Sequence, residues 1–152
     1  MKRKAQMMNL SWKQIEKLTE KLANLVRASR FRPQYLVGIT VGGVFPLALL
    51  AKEFGTKNIA VVSARSYSKR RQGKLQVTAL PKVDLRGKRM LLVDEIADRG
   101  TTLKHISRIF IQQYKVRELK TAVLVVNKKN CKSWPDFYVL KVDRWVVFPW
   151  DK

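Results

Sequence analysis

The chain has 152 residues, 46% of them apolar, and carries 32 lysines and arginines against 11 acids, a formal charge of +21. That length supports one domain with a real core, and the composition excludes a disordered tail. The charge favours anionic partners: nucleic acid, an acidic membrane or phosphorylated small molecules.

One cysteine, Cys131, excludes an internal disulfide, and one histidine, His105, speaks against a Cys/His zinc site. His105 is also the only candidate base for a Ser-His-Asp triad, and it falls where a helix is expected. Any chemistry is expected to rest on carboxylates, lysines, backbone amides and a hard metal ion. No apolar run approaches the roughly 20 residues of a membrane span. The basic start, Met1-Lys2-Arg3-Lys4, is not followed by an apolar segment of signal-peptide type, so a cytoplasmic protein is expected.

In chain order, residues 1–8 read as a loose basic arm ahead of one domain over 9–152. Ser11-Trp12-Lys13-Gln14 fits a capping box. Ile15, Leu18, Leu22, Leu25 and Val26 then repeat at helical spacing, which predicts a helix over about 12–28. Tyr35 to Ile39 suits a buried strand. Val44 to Phe54 suits a helix, with Pro46 in its first turn and Gly55 as its C-terminal cap. Ile59 to Ser63 predicts a second buried strand. A basic segment from Arg65 to Gly73 and a short strand near Leu75 to Thr78 follow. "DLRGK" at 84–88 reads as a turn, and Met90 to Val93 as the third core strand. Thr101 to Tyr114 predicts a helix with Leu103, Ile106, Phe110 and Tyr114 inward. Ala122–Val126 and Phe137–Val142 predict the last two strands, and Trp145 to Trp150 closes the chain. Strand–helix alternation of this kind implies an α/β fold, a mainly parallel twisted sheet with helices on both faces. Ligands bind such sheets at the C-terminal ends of the strands. Two segments stand out there: "TVGG" at 40–43 and "DEIADRGTT" at 94–102.

The second segment gathers Asp94, Glu95 and Asp98 directly after an apolar strand, in a chain poor in acids. Gly100, Thr101 and Thr102 lie where a helix begins. Free amides, the helix dipole and two hydroxyls make that end suitable for a phosphate. Asp94 and Glu95 are acceptors and suit hydroxyl groups or a hard divalent cation. A phosphate pocket beside a hydroxyl or metal pocket matches a sugar phosphate.

Val93, Asp94-Glu95, Ile96-Ala97, Asp98-Arg99-Gly100-Thr101-Thr102 resembles the phosphoribosyl-pyrophosphate (PRPP) signature of the type I phosphoribosyltransferases. The resemblance implies that Asp94 and Glu95 hold ribose hydroxyls and Mg2+. It also implies that residues 98–102 cradle the 5′-phosphate, with Asp98 as the acid/base group near the purine N7. "ITVGGVFPLALLAKEFG" resembles the pyrophosphate loop, with Val41, Gly42 and Gly43 contacting PRPP and the two glycines presenting backbone amides. "RSYSKRRQG" resembles the mobile loop that closes the site, with Ser66, Tyr67, Lys69 and Arg70 in it. "VVNKK" places Lys128 at the 6-oxygen of a purine. "RWVVFPWD" resembles the C-terminal hood of the bacterial xanthine-guanine and hypoxanthine enzymes, and brings Trp145, Val146 and Asp151 to the base. The expectation is therefore a purine phosphoribosyltransferase of salvage that takes a 6-oxopurine and forms a homo-oligomer, a dimer or tetramer.

Three positions depart from the pattern. Val41 stands where a charged residue often precedes the glycines, Arg99 replaces a threonine, and the acid pair is Asp-Glu. A different function is also readable: a PRPP- or nucleotide-responsive regulator of the same fold that binds RNA or DNA, for which a charge of +21 is suited. A phosphoribosyltransferase for another base, such as a pyrimidine, is a third reading, which Trp145 and the "FPWD" ending oppose.

Overall fold

The computed structural model describes residues 6–67 and 74–152. A two-residue strand, β1 (Met8–Asn9), precedes the first helix, α1 (Trp12–Ala28). Ser11 caps α1 reciprocally. Its hydroxyl accepts the Gln14 N–H at 3.1 Å, and the Gln14 side chain accepts the Ser11 N–H at 2.8 Å. Ile15, Thr19, Leu22, Ala23 and Val26 form the buried stripe. Leu25, expected inward, is 44% exposed. At 3.6 residues per turn it is rotated off the row that Ile15 and Leu22 define.

The central elements follow as β2 (Tyr35–Thr40), α2 (Val44–Phe54), β3 (Ile59–Tyr67), β4 (Lys74–Ala79), β5 (Arg89–Ala97), α3 (Thr101–Gln112), β6 (Glu118–Asn127) and β7 (Leu140–Val142). Gly55 ends α2 in the left-handed region, φ 64°, as a C-terminal cap. The main sheet has the order β4-β3-β2-β5-β6-β7. All pairings are parallel except β3–β4 at the edge. The expected fold, a mainly parallel sheet with helices on both faces, is the observed one. Alternation along β5 divides the core. Leu91 and Val93 pack with Ile15, Leu22, Leu47 and Leu50 of α1 and α2, while Met90 and Leu92 pack with Leu103, Ile106 and Phe110 of α3.

Several boundaries differ from expectation. β5 runs on through Asp94 and Glu95 to Ala97, because Asp94, Ile96 and Ala97 keep their pairing with Val123, Val125 and Val126 of β6. α3 ends at Gln112, and Tyr114 lies past it. The Tyr114 ring still packs on Phe110 at 4.8 Å, while its hydroxyl donates to the Pro81 carbonyl at 2.5 Å. The expected strand over 137–142 is interrupted: Phe137 makes an isolated bridge to Ala122, and regular pairing holds only for β7.

The chain closes with β8 (Val146–Val147) and a 3-10 turn, Pro149–Asp151. β1 pairs with β8 in parallel, Met8 opposite Val146 and Asn9 opposite Val147. The basic arm expected over 1–8 is thus corrected at its end: Met8 is part of a strand.

Candidate functional site

β2, β5 and β6 are neighbours in the sheet, so their C-terminal ends lie together. Asp94 and Glu95, expected in a loop beyond β5, are inside it. Neighbouring residues of a strand face opposite sides, and the two carboxylates diverge. Asp94 lines a cavity of about 280 Å3 with Asp98, Arg99, Gly100, Thr101 and Thr102. Glu95 lies against the glycine turn and the hood: the Trp150 indole N–H donates to its Oε2 at 2.6 Å. A Cβ added at Gly42 would collide with the same carboxylate.

Both acids hold their protons more tightly than usual. Asp94 is half-buried as a residue, but protein encloses its carboxyl group and pushes its pKa up to about 8. The Glu95 N–H, which donates to Asp94 Oδ1 at 2.8 Å, works against this, and the Glu95 charge adds to it. Glu95 is also raised, mainly by burial. The Trp150 N–H lowers it and the Asp151 charge raises it. Desolvated acids of this kind are relieved by hydroxyl donors or a cation. Among the described residues no three His, Cys, Asp or Glu side chains cluster to hold a metal. The donor set fits magnesium only as an ion that brings most of its oxygens from water and substrate, which is the habit of that ion.

The turn before α2 carries a cis peptide between Thr40 and Val41. Val41 is 74% exposed. Gly43 departs from expectation: its N–H is not free for a ligand but donates to the Ile39 carbonyl at 2.9 Å. Its lack of a side chain lets the turn approach β5, since a Cβ would stand 2.8 Å from the Val93 carbonyl oxygen.

The loop expected to hold the phosphate ends at Gly100, which caps α3 with φ 82°. There is no side-chain cap and no acid in the first turn, which leaves the helix start open to an anion. The loop is braced from behind by residues 127–133, of which the sequence pointed to Lys128 alone as a site residue. The side-chain amides of Asn127 and Asn130 donate to Asp98 Oδ1 at 3.1 and 3.2 Å. The Lys132 N–H donates to the Arg99 carbonyl at 3.2 Å. Asparagine at the end of an apolar strand, Asn127, was the available signal.

Lys128 is exposed and follows Asn127 directly; its backbone N–H donates to the Val142 carbonyl at 2.8 Å. Trp145 is 68% exposed and Val146 is buried. β8, which begins directly after Trp145, is pinned by β1, and the Met8 N–H donates to the Trp145 carbonyl at 2.8 Å. Asp151 braces the closing turn, and its carboxylate accepts the Phe148 N–H at 2.8 Å. Ser66 and Tyr67 fall at the end of β3, while Lys69 and Arg70 lie outside the described residues. A larger cavity, about 570 Å3, opens at the other end of the sheet, by Arg89 and Glu118 where β5 and β6 begin. It is remote from the acids and the phosphate loop, so it is not the candidate site.

The sequence matches the family described as "Phosphoribosyl transferase domain" over residues 10–152. It is 31% identical to the xanthine-guanine phosphoribosyltransferase of Chromohalobacter salexigens over 148 residues, which covers 96% of this chain and 85% of that one. Among solved structures, the purine phosphoribosyltransferase of Pyrococcus horikoshii matches with a TM-score of 0.84 and 27% identity, covering 96% of this chain and 95% of that one. The Helicobacter pylori xanthine-guanine-hypoxanthine phosphoribosyltransferase shares the fold, with a TM-score of 0.86 at 22% identity over 96% of this chain and 94% of that one. The chain belongs to the phosphoribosyltransferase family, enzymes of the glycosyltransferase class with the type I fold, and within it to the purine phosphoribosyltransferases. No described helix is long and apolar enough to cross a membrane.

Proposed function

We propose that this protein transfers the 5-phosphoribosyl group from PRPP to a 6-oxopurine, hypoxanthine, guanine or xanthine, and releases pyrophosphate, in cytoplasmic purine salvage. The observation that carries this reading is the meeting of the Asp94 carboxylate of β5 with the open start of α3 in one cavity, with Glu95 beside the glycine turn at the same end of the sheet.

In the reaction the bond from ribose C1 to the pyrophosphate oxygen breaks, and its electron pair leaves with pyrophosphate. A ring nitrogen of the purine forms the new bond to C1, and the purine gives up a proton. The protein's work is positioning and electrostatics. The Thr101 and Thr102 amides and hydroxyls bind the 5′-phosphate, with Gly100 shaping the loop and Arg99 adding a guanidinium. Asp94 and Glu95 accept hydrogen bonds from the ribose hydroxyls. Val41 and Gly42 offer backbone to pyrophosphate. Asp98, oriented by Asn127 and Asn130, takes the proton from N7. Lys128 polarises the 6-oxygen, Trp145 stacks on the ring, and the backbone at Val146 meets position 2. Asp151 serves the purine side by holding the hood turn. Ser66 and Tyr67, expected in a closing loop with Lys69 and Arg70, are instead the paired end of β3, and they lead into the segment that the family resemblance assigns to covering the site. Magnesium would be held singly by a carboxylate of β5, Asp94 from one side of the strand or Glu95 from the other, with oxygens of PRPP and water, and when bound it would offset the charge of the departing pyrophosphate. A homo-oligomer, dimer or tetramer, is part of the proposal, and sedimentation checks it.

Purified protein with PRPP and magnesium, offered hypoxanthine, guanine, xanthine and adenine separately, tests the reading. The expected outcome is nucleotide from one or more oxopurines and a fall of roughly 100-fold or more in kcat for Asp98→Asn, the scale of general acid–base catalysis. No nucleotide from any base, with PRPP bound, would overturn it. The regulatory reading would then be taken up with RNA-binding assays.

A further inference from the structure

Trp150 has surroundings that its place in the purine hood does not require. Its ring is stacked between Phe45 of α2, at 4.5 Å and 3° between planes, and Phe148, at 4.9 Å and 11°. Trp12 of α1 closes the group at 5.7 Å. The stack fixes the direction of the indole N–H, and that N–H donates to Glu95 Oε2 at 2.6 Å. On its other side the Glu95 carboxylate lies against Gly42, where any side chain would collide with it. Among the described residues Glu95 Oε1 has no hydrogen-bond partner.

We propose that Trp150 is a positioning residue for Glu95: the clamped indole N–H holds one carboxylate oxygen and leaves the other presented beside the pyrophosphate turn for substrate. The glutamate has one more torsion than an aspartate and would otherwise lose more side-chain entropy on binding. Outer hydrogen bonds that orient a ligating carboxylate commonly set affinity by about 10- to 100-fold. The longer side chain is also what reaches the indole, so the Asp-Glu form of the acid pair and the tryptophan of "FPWD" belong together. In this way the hood that faces the purine also orders an acid that faces the ribose.

The inference rests on Glu95 being a PRPP ligand, and the test separates the two claims. Trp150→Phe keeps one aromatic ring in the stack and removes the N–H together with the second ring, and the melting temperature reports the packing that is lost with it. Glu95→Asp shortens the acid out of the indole's reach. PRPP binding with magnesium is measured by calorimetry for the wild type, both single variants and the double variant, beside KM, kcat and melting temperature. The expected result for Trp150→Phe is a roughly tenfold rise in PRPP Kd and KM, with kcat and the KM for the base within about twofold. In the Glu95→Asp background the same change has no further effect on PRPP, because the contact is already gone. Unchanged PRPP affinity in Trp150→Phe, or an equal loss in both backgrounds, overturns the proposal. An assigned indole N–H resonance of Trp150 in the wild type gives a check without substitution: it shifts on PRPP saturation, and a stationary signal overturns the proposal. Wild type that binds PRPP but makes no nucleotide sinks the activity alone and leaves the calorimetric comparison decisive. Wild type that fails to bind PRPP sinks both.

Discussion

Asp94 couples this site to stability. An ordinary aspartate loses its proton near 3.8, but in the fold Asp94 keeps it up to about 8, mainly through burial. Between those values the folded protein holds a proton that the unfolded chain has released. The stability that Asp94 contributes is therefore full below about pH 4 and is lost as pH rises toward 8. Glu95, also raised, adds in the same direction. Urea unfolding of the ligand-free protein should show a loss on the order of a few kcal/mol across that window, and Asp94→Asn should flatten it. An equally steep loss in the variant would assign the effect elsewhere. Gly100 makes a second prediction at this scale. Its φ of 82° suits glycine, and a Cβ there would run into the Ser133 carbonyl. Gly100→Ala should lower stability by about 1–3 kcal/mol, and it should raise the KM for PRPP by misplacing the phosphate loop.

At the scale of elements, the short sheet of β1 and β8 supports the segment proposed to hold the base. The Met8 N–H holds the Trp145 carbonyl and the Leu10 N–H holds the Val147 carbonyl at 3.0 Å. Removing residues 1–9 should loosen Trp145 and Val146 while leaving the acids and α3 in place. A several-fold rise in the KM for the purine, with the KM for PRPP unchanged, is the expected result. A joint rise of both constants would show that β1 supports the whole domain instead.

For the molecule as a whole, the charge of +21 suits the proposed substrate, which carries phosphate groups. Long-range attraction raises encounter rates and is screened by salt. The kcat/KM for PRPP should therefore fall as ionic strength rises, while kcat/KM for the uncharged base stays level. The same charge fits non-specific binding of nucleic acid, which salt would weaken steeply. A salt-independent kcat/KM for PRPP would remove steering as a reason for the charge.

The helices, the central strands and the acidic signature were legible in the sequence because each has a local cause. Ser11 and Gln14 meet across one turn, Gly55 takes a left-handed cap, and Asp94, Glu95, Asp98 and Gly100 sit within one short segment. What the chain alone did not specify depends on residues far apart along it. The extension of β5 through the acids depends on β6, and it sends Asp94 and Glu95 to opposite sides. The amides that hold Asp98 come from 127 and 130. The indole that holds Glu95 comes from 150, and the strand that pins the hood comes from the first ten residues. Local pattern determines which groups the protein has. Only the tertiary pairing, by choosing their neighbours, decides which carboxylate is desolvated, which is braced and which way each one points.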